Sequence, residues 1–568
     1  MGWLATLTAV SFLVPNHYFP WVSFHEEWLA AFAFIPMVAW AAWQSKKIPL
    51  LAKVAFSAGL IPVLQWCLGL MTYRGDAIMA TAYWWCFALS IVAGAGWVTQ
   101  SNKGDAENKR PNGKELEALV PLWLAFVLSG IVSFGICIHQ WLDLQILAVL
   151  IADLPPGGRP FANLAQPNQL ASLFLLGLTG VIFLFEARKI NKLSATAAAL
   201  ILTAGLVMTQ SRTVFAAIIW LLLAFLYINS RCRLRLQTNA LLAGITVFGF
   251  LTWLWPDINR WLLVSESAAS AATRTASDAR WIYFQSAADA ILIKPWVGFG
   301  FQQINLAQRA TEANYHATYN FFQSAHNLLL DITLWIGIPL SIALIYFFGR
   351  HFYTIARKIE HNLEGVVLIG IGFLLVHSML EYPLYYTYFL LPVGFLIGAL
   401  SKNEVLQTTK IRDADARWWT LAPALLCGLV FIQITFEYPQ WEKDWRNARY
   451  EIQKYTNTEP PAHPSPAILD PIEDLLWFVR YKIHENMSEA DLNRAKKVVT
   501  RQSHTIVLFR YAQMVALNGH ADEARYYLRL LCRFHPPAAC NQAKKDWIDA
   551  GRNQWHLLST IEFPQTID

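Results

Sequence analysis

The sequence predicts an all-α, polytopic membrane protein with a soluble helical domain at its C-terminal end. Three observations carry this. The chain has 568 residues, 55% of them hydrophobic and 15% charged, with a mean hydropathy of +0.33, whereas soluble domains carry roughly 25% charged residues. The charge is unevenly spread. Residues 437–568 hold 17 Lys/Arg and 17 Asp/Glu, the density of a soluble domain, while the preceding 436 residues are only about 11% charged, a density that suits lipid. Finally, apolar runs recur along the first part at the length that crosses a bilayer. Together these exclude an ordinary cytosolic enzyme, a disordered chain and a disulfide scaffold.

Crossing roughly 30 Å of hydrocarbon takes about 20 apolar residues. About thirteen candidate runs are centred near residues 9, 36, 60, 88, 128, 176, 201, 220, 246, 338, 372, 393 and 427. The first, Trp3 to Val14, is short, but no Lys or Arg precedes it and no small-x-small cleavage site follows, so it reads as a span rather than a signal peptide. Basic residues collect in one set of loops: Lys46/Lys47, Lys103 to Lys114, Arg188/Lys189/Lys192, Arg231/Arg233/Arg235, Arg350/Arg357/Lys358, and Lys402 to Arg417. The alternate short loops carry only Arg74, Arg159 and Arg212. Positive loops stay in the cytoplasm. The N-terminus is then cytoplasmic, and the long loop at about 256–325 and the tail face outward, which in a Gram-negative cell is the periplasm. The net charge of +6 is accounted for by topology and calls for no nucleic acid. The expected domains are residues 1–436, a transmembrane catalytic domain with that large outer loop, and residues 437–568, a periplasmic helical domain.

In the tail, apolar residues recur at helical spacing through Leu508, Tyr511, Ala512, Val515 and Ala516. Asn518-Gly519 stops that helix, and a second amphipathic run through Ala524, Tyr527, Leu528 and Leu531 ends at Pro536. This helical hairpin is TPR-like, with flanking helices near 488–500 and 541–550. It serves either as a docking surface for a protein acceptor or as a cap that only stabilises the enzyme. Of seven Cys, Cys532 and Cys540 fall in this tail. An oxidising compartment permits a bridge between them, and two free buried thiols are the alternative.

Ionisable and amide residues at the ends of spans mark functional cavities. Four clusters stand out, all on the outer side. Arg159 to Gln169 contains Gln166 and Asn168, whose amides suit sugar hydroxyls or phosphate oxygens, although a Pro-rich turn reads similarly. Gln210-Ser211-Arg212-Thr213 places Arg212 where positive charge is scarce; a guanidinium binds phosphate bidentately, or snorkels at an interface. The outer loop carries Arg280, then Gly298-Phe299-Gly300, and ends at Ser324-Ala325-His326-Asn327, where His326 can take a proton near neutral pH. The fourth runs from His377 through Glu381 and Tyr382 to Tyr386. His377 and Glu381 are four apart and are expected to share a helix face. A metal pair there lacks a third and fourth ligand, so no metal is expected. Asp413-Ala414-Asp415, in a basic cytoplasmic loop, reads as a solvated linker. No dinucleotide fingerprint, Walker motif or inverted repeat is found.

In this order the four clusters resemble the PglL family of bacterial O-linked oligosaccharyltransferases, relatives of the WaaL-type O-antigen ligases and Wzy-type polymerases. The resemblance spans most of the chain. It includes Pro15-Asn16-His17-Tyr18, Gln166-Pro167-Asn168, Ser211-Arg212-Thr213, Arg280 to Gly300 and Ser324-Ala325-His326-Asn327; His377-Ser378-Met379-Leu380-Glu381-Tyr382-Pro383-Leu384 is its most specific piece. Ala325 is a departure, since other members can carry Ser-His-Asn directly. The resemblance implies a GT-C-like membrane glycosyltransferase needing no cofactor. Its donor would be an oligosaccharide on undecaprenyl pyrophosphate, and its acceptor a Ser or Thr of a periplasmic or pilin protein. His326 matches the family's key histidine, and Gln166 and Tyr382 match two further positions important for activity.

From the residues, His326 is the expected general base. Arg212 and Arg280 are expected to hold the departing pyrophosphate. Arg159, Gln166, Asn168, His377, Glu381, Tyr382 and Tyr386 are expected to bind or orient substrate, with membrane lipid around the spans. Competing readings are an O-antigen ligase or polymerase, a lipid-glycan transporter, and a scaffold that recruits partners through its tail.

Overall fold

The computed structural model describes residues 1–44, 47–101, 114–144, 146–155, 157–262, 280–402, 414–452 and 465–564. Asp413 lies outside them, and the side chains of Arg280 and Asp415 are outside them as well. The described residues form helices and no strand. In order these are α1 (Gly2–Ser11), α2 (Phe24–Gln44), α3 (Leu50–Ala58), α4 (Ile61–Cys67), α5 (Arg74–Ser101), α6 (Val120–Trp141), α7 (Pro167–Glu186), α8 (Lys192–Met208), α9 (Thr213–Arg231) and α10 (Thr238–Trp261). They continue as α11 (Arg280–Ile293), α12 (Ile304–Thr311), α13 (Leu328–Arg357), α14 (Asn362–Ser378), α15 (Thr387–Leu400) and α16 (Ala414–Ile452). The tail adds α17 (Asp470–Arg480), α18 (Glu489–Arg501), α19 (Thr505–Leu517), α20 (Ala521–Phe534), α21 (Pro537–Asn553) and α22 (His556–Ser559).

Among the described residues, eight helical stretches are long and apolar enough to span a bilayer, and α8, α14 and α15 are shorter apolar helices. The protein is a multi-pass membrane protein. About thirteen spans were expected; length and hydropathy alone pick out fewer because helices such as α14 and α15 stop at polar turns rather than at the end of an apolar run.

The chain divides into two compact units. The first comprises residues 1–58, 82–278 and 345–429. Its core is a continuous apolar cluster in which Trp123, Phe126, Phe174, Phe183 and Phe389 are fully buried. Helices meet closely through small residues, as expected where lipid offers no hydrophobic drive for association. A Cβ at Gly94 would stand 1.9 Å from the Phe395 carbonyl oxygen, and one at Gly398 2.0 Å from that of Ile91, so α5 and α15 touch backbone to backbone. Local chemistry sets the helix starts. Gln166 caps α7 ahead of Pro167, Asn191 caps α8 through Ser194 N, and His361 with Glu364 forms a capping box on α14. At the basic-loop end, buried Lys402 pairs with Glu115 at 2.8 Å and Glu364 at 3.2 Å.

The second unit comprises residues 59–81, 279–344 and 430–568. It joins residues 279–344 to the tail. Successive tail helices α18 to α21 pack on their neighbours around Tyr511, Leu528 and Trp547, and short connections make neighbouring helices antiparallel. The expected hairpin is present as α19 and α20, with Gly519 at φ +88° in the turn. Cys532 and Cys540 are disulfide-bonded. The loop is held to the tail by many polar contacts. Asn305 donates to Thr500 O at 2.7 Å and Arg309 to Ser503 Oγ at 2.8 Å. Arg533 pairs with buried Glu312 at 2.6 Å and its carbonyl accepts from Tyr319 N at 2.9 Å.

Candidate active site

In the first unit, three of the four clusters, far apart in sequence, converge at the ends of α7, α9 and α14. Asn168, in the first turn of α7, is their junction. It donates to Glu381 Oε1 at 2.9 Å, and its oxygen accepts from Ser211 Oγ at 2.7 Å. Ser211 in turn shares a 2.7 Å hydrogen bond with Thr213. This links the amide cluster, the Arg212 turn and the His377–Tyr386 segment in one network. Arg159 donates to Thr209 O at 3.2 Å and to Gln210 O at 3.4 Å, against the turn in which Gln210 takes φ +46° and Arg212 leads into α9. Gln166 spends its oxygen on the helix cap, accepting from Gln169 N at 2.7 Å; its amide hydrogens have no protein partner among the described residues.

The His377 segment corrects one expectation. α14 ends at Ser378, and Glu381 lies in the turn beyond it, so His377 and Glu381 do not share a helix face. Each has its own neighbour: His377 Nδ1 bonds Ser172 Oγ of α7, and Glu381 accepts from Asn168. Both are buried. Tyr382 packs beside Tyr385 and Tyr386, with ring centroids 5.4 and 6.3 Å away, and Tyr386 stacks on Tyr388 at 5.3 Å. The Tyr388 hydroxyl donates to Gln169 Oε1 at 2.6 Å.

Sequence reasoning noted the His17 segment but missed the buried carboxylates of a second layer around it. His17 pairs with buried Glu26 at 3.0 Å and bonds Asn163 O at 2.7 Å. Glu27 accepts from Ser23, Trp21, Tyr83 and the Thr387 backbone. Two adjacent carboxylates opening an apolar helix were the available signal.

The second unit holds Arg280, which opens α11, and His326. His326 sits in a tight turn at φ +55°, a left-handed conformation uncommon for a residue with a Cβ and typical of strained functional positions. Asp331, 1% exposed, builds that turn. Its Oδ2 accepts from Ser324 Oγ at 2.5 Å and its Oδ1 from Ala325 N at 2.7 Å. Ser324 Oγ accepts from His326 N at 2.9 Å. Asn327 then caps α13 through Leu329 N and Leu330 N. The imidazole stacks on Tyr283, 6.1 Å between centroids, and Asn320 donates to the Tyr283 hydroxyl at 3.2 Å. Asp331 was not anticipated, because a lone Asp near the start of an apolar run reads as a helix-start charge.

Three family models match the chain. That for a protein glycosylation ligase covers residues 160–185, that for O-antigen ligase 197–345, and that for the C-terminal part of a virulence-factor membrane-bound polymerase 366–547. A ComP-specific O-oligosaccharyltransferase of Acinetobacter baylyi is 28% identical over 72% of this chain and 74% of its own. A general O-oligosaccharyltransferase of the same organism is 24% identical over 94% of this chain and 91% of its own. The chain is similar to PglL-type O-oligosaccharyltransferases of the O-antigen ligase superfamily. Apart from Arg159, the candidate residues named from the sequence fall within the three matches. The first contains Gln166, Asn168 and Ser172. The second contains Ser211, Arg212, His326 and Asp331. The third runs from the His377–Tyr386 segment into the tail.

Proposed function

We propose that this transferase moves a preassembled oligosaccharide from undecaprenyl pyrophosphate to a Ser or Thr hydroxyl of a periplasmic or pilin protein, at the outer face of the inner membrane. The observation that carries the reading is the near full-length likeness to a general O-oligosaccharyltransferase, tail included. Residues 1–436 form the membrane catalytic domain and residues 437–568 the TPR-like periplasmic domain.

His326 Nδ1 or Nε2 takes the acceptor hydroxyl proton while that oxygen attacks the anomeric carbon. The bond from the anomeric carbon to the pyrophosphate oxygen breaks, and the pyrophosphate leaves with the bonding pair. Arg212 and Arg280 stabilise the charge that grows on it. Gln166, with its amide hydrogens uncommitted, and Arg159 bind sugar or phosphate. Asn168, Glu381, His377, Tyr382 and Tyr386 shape the sugar site. The test is intact mass spectrometry of a periplasmic pilin co-expressed with the chain and a lipid-linked glycan. A glycan mass shift that disappears in His326→Ala, at normal protein level, supports the assignment; full transfer by that variant refutes the base.

The matches to O-antigen ligase and membrane-bound polymerase models favour one second reading, transfer to a lipid-linked glycan. Offering pilin and lipid A core side by side separates the two by which acceptor gains mass.

A further inference from the structure

At the end of α11 the chain leaves the helix through Leu292-Ile293-Lys294-Pro295-Trp296-Val297 and passes Gly298-Phe299-Gly300. This stretch is irregular, yet it runs beside α13 in close register. Ile338 N donates to Pro295 O at 2.7 Å, Phe299 N to Leu334 O at 2.7 Å and Gly300 N to Trp335 O at 3.2 Å. The approach depends on glycine on both sides. Gly298 and Gly337 take φ of +69° and +77°; a Cβ at Gly298 would stand 2.5 Å from Leu334 O, and one at Gly337 2.5 Å from the Trp296 backbone.

The partner strip, Leu334 to Ile338, straddles the break at Gly337 between the two helical stretches of α13, Leu328–Arg357, a candidate span by length and apolarity. Segment 295–300 therefore lies alongside a membrane helix. Irregular backbone is tolerated at such a depth only when its polar groups are satisfied by protein. Protein partners satisfy most of these groups. Gln65, buried in α4, donates to Val297 O at 3.3 Å and Trp335 O at 2.7 Å and accepts from Phe301 N at 3.0 Å. Gly298 N donates to Lys294 O at 3.2 Å, and Gln303 donates to Phe299 O at 2.9 Å.

The side chains turned away from this packing are apolar and open. Leu292 is 72% exposed, Ile293 51%, Trp296 75% and Val297 48%. Beside them Lys294 is exposed and its ammonium rests 4.9 Å from the Phe299 ring centroid. A Trp flanked by aliphatic residues and one Lys, on a backbone most of whose polar groups are paired within the protein, has the composition of a bilayer interface. We propose that Leu292–Val297 is a membrane-interface anchor, seating the outer loop in the headgroup boundary of the surrounding phospholipid. The occupant is lipid because the segment is paired to a span.

Photocross-linking tests this. The full-length protein is reconstituted in nanodiscs of phosphatidylethanolamine and phosphatidylglycerol, with Trp296→benzoylphenylalanine, Leu292→benzoylphenylalanine or, as a control on the tail, Ile548→benzoylphenylalanine. Irradiation is expected to give phospholipid-mass adducts at positions 296 and 292, in yield several-fold above position 548. Equal yield at all three positions, or a cross-linked dimer in place of a lipid adduct, overturns the anchor.

Discussion

Asp331→Asn removes one of the two carboxyl oxygens that build the His326 turn while keeping the side chain's size. Both acceptors are in use, from Ser324 Oγ and Ala325 N. An amide can accept one of these bonds but presents an NH2 to the other donor. A hydrogen bond to a charged group is worth about 1.5–3 kcal/mol, and each 1.36 kcal/mol is about tenfold in rate. If that loss falls on the fraction of molecules with the turn formed, kcat drops roughly 10- to 100-fold. The acceptor KM changes little, because Asp331 is buried and touches no substrate. The assay is turnover of a lipid-linked oligosaccharide onto an acceptor protein by the purified variant, with kcat and KM resolved and thermal unfolding measured alongside. Ser324→Ala should show a smaller loss in the same parameter. The decisive comparison is the double variant. If Asp331 acts only through His326, adding Asp331→Asn to His326→Ala costs nothing further. Losses that multiply, or wild-type kcat in the single variant, would refute the reasoning.

Asn168→Asp sets a second carboxylate where the amide now donates to Glu381 at 2.9 Å; activity should fall well below that of Asn168→Ala at equal protein level, and parity of the two would remove the charge argument. In the tail, burial holds the His504 and His535 imidazoles below their usual range, with His535 adding to the effect on His504. Protons then bind the unfolded chain more readily, so stability is retained above about pH 6.5 and lost as pH falls below it. A melting temperature of the full-length protein that does not fall from pH 7.5 to 5.5 would contradict this. Replacing both Cys532 and Cys540 by Ser opens a loop of sequence separation 8 and should destabilise the chain by about 2–3 kcal/mol; a non-reducing peptide map of the parent protein with both thiols free would remove the basis for it.

Much of the architecture was legible because a membrane imposes it. Apolar runs and the alternation of basic loops are one-dimensional signals, and so is the Asn518-Gly519 stop between α19 and α20. The site was legible to the extent that polar residues are unwelcome at span ends, which exposed Gln166, Asn168, Arg212, His326 and Glu381. The remainder depended on partners the sequence does not show. Nothing before Pro383 breaks a helix strongly, so His377 and Glu381 read as one face, although α14 ends between them. Ser172 is one hydroxyl in an apolar helix until His377 is set beside it. Asp331 gains its meaning from the Ala325 N–H and the Ser324 hydroxyl, neither of which has a pattern. Gly298, which belongs to no dinucleotide fingerprint, is with Gly337 what lets the loop lie against α13.

The docking of the outer loop on the tail has a consequence for the order of synthesis. Arg533 reaches back 221 residues to the Glu312 carbonyl, and Tyr319, a few residues before His326, hydrogen-bonds the Arg533 carbonyl. At about 5–20 residues per second, that separation is roughly 10–40 s of translation. For that interval the loop has been made and its support has not. In that interval a nascent molecule already has His326 but lacks the tail residues, Arg533 among them, to which its loop hydrogen-bonds.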